Sequence, residues 1–373
     1  MNKTITQLLS GNADNHMLPF FWQHGEDEAT LRKYMEVIHQ ANCFAVCVES
    51  RPHPDFCGPK WWQDMDIILD EARKRNMKVW ILDDSHFPTG YANGALMHLP
   101  DALGKHNIYM LQQDLPEEAA CVTMRLRVED LLKDYQKQFG DSARIFCDDR
   151  VLFVTARNTD GETVDLSDCL ENETFVWYKP AGAYTLQICV CSGNTGGRRD
   201  HICTTDMDSC RVLIDTVFEP HWQHYADDFG KTIAGFFSDE PRFGNASSYE
   251  CSLGRTNGYT GNNRPRVVLP WAKSLLGKLD GCWQGDFRKV LPLLWYDAGT
   301  RTAQVRYTYM NLVSRLFGQN YTQQIGDWCR AHKVKYMGHL IEENGSHARL
   351  GYGAGHFFRS IRGQDYPGLD LIH

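Results

Sequence analysis

The sequence has 373 residues, 42% hydrophobic and 23% charged, which suits one large or two smaller packed domains and excludes global disorder. A net charge of -8, from 39 basic and 47 acidic residues, excludes a phosphate-tracking nucleic-acid binder and an anionic membrane surface as partner. Neither a secretory leader nor a membrane-spanning apolar run is legible, so a soluble, cytoplasmic chain is expected.

In chain order, PFFWQHG (19–25) reads as a short strand with a polar end. Leu31, Tyr34, Met35 and Ile38 then recur at helical spacing. CFAVCVES (43–50) is a continuous apolar run of the kind covered on both faces of a sheet. Trp61, Met65, Ile68, Leu69 and Ala72 mark a second amphipathic helix, and KVWILDD (78–84) a third strand. Such alternation predicts parallel strands joined by right-handed crossovers. From about residue 102 to 210 the pattern becomes β-rich: VTMRLRV, RIFCDDRVLFVTA, ETVDLS and AYTLQICVCS, with TDGE as a hairpin turn. Helical periodicity resumes at 209–229, TIAGFF (232–237) is a fourth buried strand, and 300–332 is a long helical stretch. VKYMGHLI (334–341) and GLDLI (368–372) are the fifth and sixth strands.

The order predicts a (β/α)8 TIM-type barrel, C-terminally incomplete at six strands, with a β-rich domain inserted after strand 3. Its parts are residues 1–103, the insertion 104–210, and 211–373. Thirteen cysteines without a single CxxC read as buried thiols and not as a zinc framework. Ten tryptophans suit either a large core or the stacking of sugar rings.

Polar clusters follow the strands: WQHG, ESRPH, DDSHFPTG, SDEPR and EEN. In a barrel these form the carboxyl-terminal rim, where active sites sit. The rim is acidic, with Glu49, Asp83, Asp84, Asp239, Glu240, Glu342 and Glu343. Glycoside hydrolysis needs two carboxyl groups, one of them protonated to assist the leaving group. Glu240, after a buried strand and before Pro241, is expected to keep a proton by desolvation and act as the donor. Asp239 is expected beside it as a hydrogen-bonding or metal partner. Strand alternation turns only one of Glu342 and Glu343 inward as second carboxylate, with Glu343 preferred as the outer one. Glu49, Arg51, His53, Asp84 and His86 are expected to bind substrate hydroxyls, with a plain Arg51–Glu49 pair as the alternative for the first two. Trp22, Trp61 and Trp62 are candidate sugar platforms. His221 and His224, one turn apart, are either a metal pair or a helix surface. No GxSxG, Walker or HExxH pattern occurs.

Together, FFWQHGEDEATLRKYM, the run from CVESRPHPDF to DDSHFPTGYANG, and GFFSDEPRFGN resemble bacterial glycoside hydrolases. They are similar to the α-L-rhamnosidases of glycoside hydrolase family one hundred and six and their uncharacterised relatives. Residues 18–98 and 211–373 carry the likeness, through Arg51, Trp61, Trp62, Asp84, Pro88–Gly90, Asp239–Glu240 and Gly338–His339 to Glu343. The resemblance implies a (β/α)8 barrel and inverting, calcium-assisted hydrolysis, with Glu240 as general acid and Glu342 or Glu343 polarising the water or holding the metal. His24 and His339 join the substrate-binding set. The expected partner is a small glycoside or oligosaccharide. A sugar-binding barrel without catalysis, or a metal-dependent hydrolase built on His24, are the alternative readings.

Overall fold

The computed structural model describes residues 5–6, 9–10, 17–136, 148–194, 200–244, 259–260, 264–265, 267–340 and 353–370. The frame is a six-stranded parallel sheet. Its strands are β1 (Phe20–Trp22), β2 (Ala45–Glu49), β3 (Lys78–Leu82), and three later ones, Ile233–Asp239, Lys335–His339 and Tyr366–Pro367. They lie side by side in chain order, and every adjacent pair is parallel. The sixth strand is Tyr366–Pro367; of the strand expected over 368–372, residues 368–370 lie outside any strand and 371–372 lie outside the described residues. Among the described residues the sheet has two edges, so a closed barrel is not seen.

A parallel sheet that never reverses its order carries all its right-handed crossovers on one face. Alternation along the strands agrees with this. Val46, Val48, Val79, Ile81, Phe236 and Tyr336 enter the large core shared with the helices. Cys47, Trp80, Leu82 and Met337, with Leu18, Ala234 and Phe237 against them, form a separate small cluster on the opposite face. That face is curled. The rings of Phe20 and Phe237 lie 5.2 Å apart, and those of Trp80 and Tyr366 6.0 Å apart, although three strand steps separate each pair. A flat sheet would set such strands about 14 Å apart.

The first crossover helix, α1 (Glu28–Gln40), starts where the Asp27 carboxylate accepts from the Thr30 amide, and it buries Leu31 and Met35. The second, α2 (Pro59–Lys74), opens with proline in its first turn and buries Trp61, Met65, Ile68, Leu69 and Ala72.

Between β3 and the fourth strand of the parallel sheet the chain builds two antiparallel sheets. It runs through β4 (His106–Leu115), β5 (Cys121–Arg125), a helix α3 (Val128–Gln136), β6 (Arg150–Asn158), β7 (Thr163–Asp165), β8 (Leu170–Glu171), β9 (Thr174–Tyr178) and β10 (Tyr184–Ser192). Helices α4 (Met207–Leu213) and α5 (Glu219–Tyr225) then lead to β11 (Ile233–Asp239), the fourth parallel strand. Thr159–Glu162 makes the expected hairpin turn, with Gly161 at φ +86° between the antiparallel β6 and β7. β9 escapes sequence reasoning because Phe175, Val176, Trp177 and Tyr178 are all apolar, yet only alternate residues are buried.

β12 (Tyr259–Thr260) and β13 (Arg264–Pro265) pair with each other, and β14 (Leu269–Trp271) joins the insertion's sheet beside β4. Helices α6 (Leu275–Trp283), α7 (Thr300–Phe317) and α8 (Gln324–Ala331) lead to β15 (Lys335–His339), and a short α9 (Phe357–Ser360) to β16 (Tyr366–Pro367). Ile108, Met110, Phe153 and Cys189 of the insertion enter the main core, while Val154, Phe175, Trp177 and Leu186 form a core of its own. No described helix is long and apolar enough to cross a membrane.

Candidate active site

The carboxyl ends of the parallel strands bring four sequence-predicted residues into contact on the curled face. Glu49 ends β2, Asp239 ends β11 and His339 ends β15, with Asp239 and His339 in register. Arg51 joins them. Its Nε and Nη2 donate to the two oxygens of Glu49, the latter at 2.8 Å, and Nη2 also donates to Asp239 Oδ2 at 2.8 Å. The guanidinium lies 5.2 Å over the Phe87 ring. His339 places Nε2 at 2.9 Å from Asp239 Oδ1 and Nδ1 at 3.0 Å from the Leu340 carbonyl. The ring nitrogens of His339 thus face the Asp239 carboxylate and the Leu340 carbonyl.

Burial alone would raise the Asp239 pKa, but the hydrogen bonds of His339 and Arg51 outweigh it and hold the carboxyl below its usual range. A depressed acid contributes stability above the unfolded-state value and loses it as pH falls through the folded one. The stability advantage of wild type over Asp239→Asn in urea is therefore expected to shrink as pH drops below about 4. An unchanged advantage down to pH 3 would contradict the pairing.

The next residue, Glu240, is 6% exposed and holds φ +50°, a left-handed backbone that is costly for a non-glycine residue and disfavoured before a proline. Such strain, of order 1–3 kcal/mol, persists where surroundings enforce it. The enforcing contacts are visible. The Thr89 amide donates to the Asp239 carbonyl at 2.8 Å, and the Asp239 amide donates to Thr89 Oγ1 at 2.9 Å. Thr89 Oγ1 in turn donates to Asp83 Oδ1 at 2.7 Å. Asp83 is fully buried, which pushes its carboxyl well up, and its other oxygen accepts from Ser238, which accepts from Tyr336 at 2.9 Å. Thr89→Val leaves one carboxyl oxygen and one amide without partners, an expected loss of about 2–4 kcal/mol in urea unfolding, while Thr89→Ser stays near wild type. Equal stability of the two variants would refute the clamp.

Glu240, His339 and Asp370 each offer one ligand atom within 4.8 Å of the others. Asp370 was hidden in the sequence because it stands between Leu369 and Leu371 in a run read as a strand. Calcium takes six to eight oxygens. These described residues offer two carboxylates and one imidazole, whose nitrogens already face Leu340 and Asp239, so they do not fit a calcium cage.

The remaining expected residues scatter. Trp22 is 53% exposed and in register with Glu49, with its ring on the open face. His24 is exposed and paired with Glu26 at 2.9 Å. His86 is exposed, edge-on to Tyr91. Three expectations are corrected by burial. Asp84 is fully buried, and five backbone amides, from Ser85, Gly90, Tyr91, Ala92 and Asn93, take its oxygens at 2.6–3.0 Å. It shapes the loop and binds no hydroxyl.

His53 accepts from the Asp55 amide and so donates Nε2 to buried Asp64 at 3.0 Å. Trp61 is fully buried in the core, its indole donating to His221 Nε2 at 2.9 Å. Because His221 Nδ1 bonds the Val217 carbonyl, both of its nitrogens are used, and burial lowers its pKa to about 4. His221 and His224 therefore make no metal pair; His224 stacks on Trp62 at 3.9 Å. Glu342 and Glu343 lie outside the described residues.

A cavity of about 1010 Å³ opens elsewhere, between α7 and Gly355–Arg359, lined by Ala303, Tyr307, Met310 and Phe357 and by none of the rim acids.

No protein-family model matches the chain, and no curated protein matches it. Among solved structures it is similar to the rhamnosidase from Novosphingobium sp. PP1Y, with TM-score 0.56 and 11% identity over 93% of this chain. The match spans 47% of that longer chain. At this identity the likeness shows a shared fold.

Proposed function

We propose that this chain is a glycoside hydrolase, similar to the family one hundred and six α-L-rhamnosidases, that cleaves O-glycosidic bonds of small glycosides or oligosaccharides. The six parallel strands are taken as consecutive strands of a (β/α)8-type barrel, whose carboxyl-terminal rim is the catalytic face. The observation that carries this reading is Glu240, held in a strained backbone at a strand end, within 4.8 Å of His339 and Asp370. Glu240 serves as proton donor to the departing oxygen. Arg51 and His339, fixed by Glu49 and Asp239, orient sugar hydroxyls, and Trp22 offers an exposed ring to a sugar face. His24 and His86 are exposed on the loops beyond β1 and β3, free to meet the aglycone side. No step is assigned to calcium, since the described acids do not fit it.

The test is hydrolysis of an aryl glycoside panel, α-L-rhamnoside included, with and without chelator. Release from at least one glycoside supports the reading. A folded protein that hydrolyses none but binds one of the sugars would favour a sugar-binding barrel, and activity that needs stoichiometric zinc would favour a metal-dependent hydrolase.

A further inference from the structure

The cavity of about 1010 Å³ beside α7 takes no part in the rim chemistry. Its volume stands at the upper end of the range, about 300–1,000 Å³, that encloses small-molecule ligands. Thr300, Ala303, Tyr307, Met310 and Ser314 line it at steps of three and four residues, so it follows a single face of the helix. At about 1.5 Å per residue that face runs roughly 21 Å. The opposite wall is Gly355–Arg359, which runs into the short α9. The two walls are locked together. A Cβ at Gly355, which holds φ +75°, would stand 2.9 Å from Ser314 Cβ, and one at Gly318 would stand 2.6 Å from the Arg359 carbonyl oxygen. Glycine alone allows both approaches, so the groove is built into the packing.

Charge is distributed unevenly along it. At the Ser314 end, Arg359 Nη1 donates to the Asn311 carbonyl at 3.2 Å, to Asn311 Oδ1 at 2.9 Å and to Ser314 Oγ at 2.9 Å. All three acceptors are neutral. Among the described residues no carboxylate pairs with this half-buried guanidinium, and its Nε and Nη2 make no hydrogen bond. Midway, Arg306 is engaged by the Leu293 and Tyr296 carbonyls at 3.3 and 3.5 Å. At the far end Asp297 accepts from the Gly299 amide at 2.8 Å. Between the ends the lining is apolar, and two of its rings stand out: Tyr307 is 70% exposed and Phe358 74%. Aromatic rings so exposed on one groove are surface that a ligand ring would cover.

We propose that this groove is a second binding site, one that takes an aromatic monocarboxylate. The ligand's rings lie along Tyr307, Met310 and Phe358, and its carboxylate accepts from the Nε and Nη2 of Arg359. A guanidinium already held by three bonds loses little freedom on receiving a carboxylate in its fork of N–H groups. Asp297 repels a carboxylate placed at the other end, which fixes the ligand's direction and disfavours a dianion. The site is separate from the rim, since none of Arg51, Asp239 or Glu240 lines it. It therefore stands independently of the glycosidase reading.

The experiment titrates the full chain with 2-naphthoate and with 2-naphthamide, which has the same rings and no charge. One naphthoate per chain, bound about tenfold or more tighter than the amide, is the expected result, because a hydrogen bond to a charged group carries the difference. Ala303 is exposed on α7, so Ala303→Trp should keep the wild-type melting temperature while its indole fills the groove and abolishes binding of both probes. Arg359→Met should weaken naphthoate about tenfold or more and leave the amide unchanged, which also reports that the wall still stands. A folded chain that binds no naphthoate overturns the inference. So does wild-type naphthoate affinity in either variant. An equal loss of both probes in Arg359→Met would overturn it too, since Arg359 would then hold the wall and not the ligand.

Discussion

Glu240→Gln is expected to lower turnover of an unactivated alkyl glycoside by a factor of roughly 10²–10⁴, the usual contribution of a positioned general acid. The loss should be much smaller for an aryl glycoside whose phenol leaves readily, because that oxygen needs less help from a proton. Gln keeps the shape of Glu, and the backbone at 240 is fixed by Thr89 and Asp239, so the melting temperature should stay close to wild type. The leaving-group dependence separates proton donation from mere damage. A site distorted by the substitution would slow both substrates alike, and an equal loss on both would remove Glu240 from the donor role. Full activity on the alkyl glycoside would do so outright.

Arg51→Met is expected to cost about 3–5 kcal/mol in urea unfolding, the range found when one partner of a buried ion pair is removed. Glu49 is 1% exposed on its side chain and Asp239 13%, so the guanidinium is what compensates two carboxylates that water scarcely reaches. His339 remains for Asp239, whereas no other cation is bonded to Glu49 among the described residues. The double variant Arg51→Met with Glu49→Gln should therefore recover a substantial part of the loss. A single variant within about 1 kcal/mol of wild type would mean that the pair is solvated and does not organise the rim.

Much of the frame was legible in the residues because it rests on short-range periodicity. The valines of AVCVE, the apolar run of KVWIL and the 3.6-residue spacing of Leu31 and Met35 each specify a local element. Their strict alternation then dictates parallel neighbours. The polar residues at strand ends pointed to Arg51, Asp239, Glu240 and His339, which the fold brings into one cluster.

What sequence could not separate was a polar residue facing the cleft from one serving the fold. Asp84 and Glu240 both follow a strand. The first accepts from the amides of a loop whose Ala92 and Asn93 adopt positive φ, and the second stands within 4.8 Å of His339 and Asp370. Trp61 and Trp22 are the same residue type after similar signals, yet one sits on the buried face of α2 and the other on the open face.

By itself, then, the chain's local pattern determined five of the parallel strands, their crossover helices and a series of acidic strand ends, since each depends on neighbours a few residues away. Only the tertiary structure decided that the sheet curls enough to set Phe20 against Phe237, that Asp370 stands beside Glu240 although 129 positions lie between them, and which carboxylates accept from the rim's own donors. Those outcomes depend on the competition among distant hydrogen-bond donors for each buried oxygen, which no local spacing encodes.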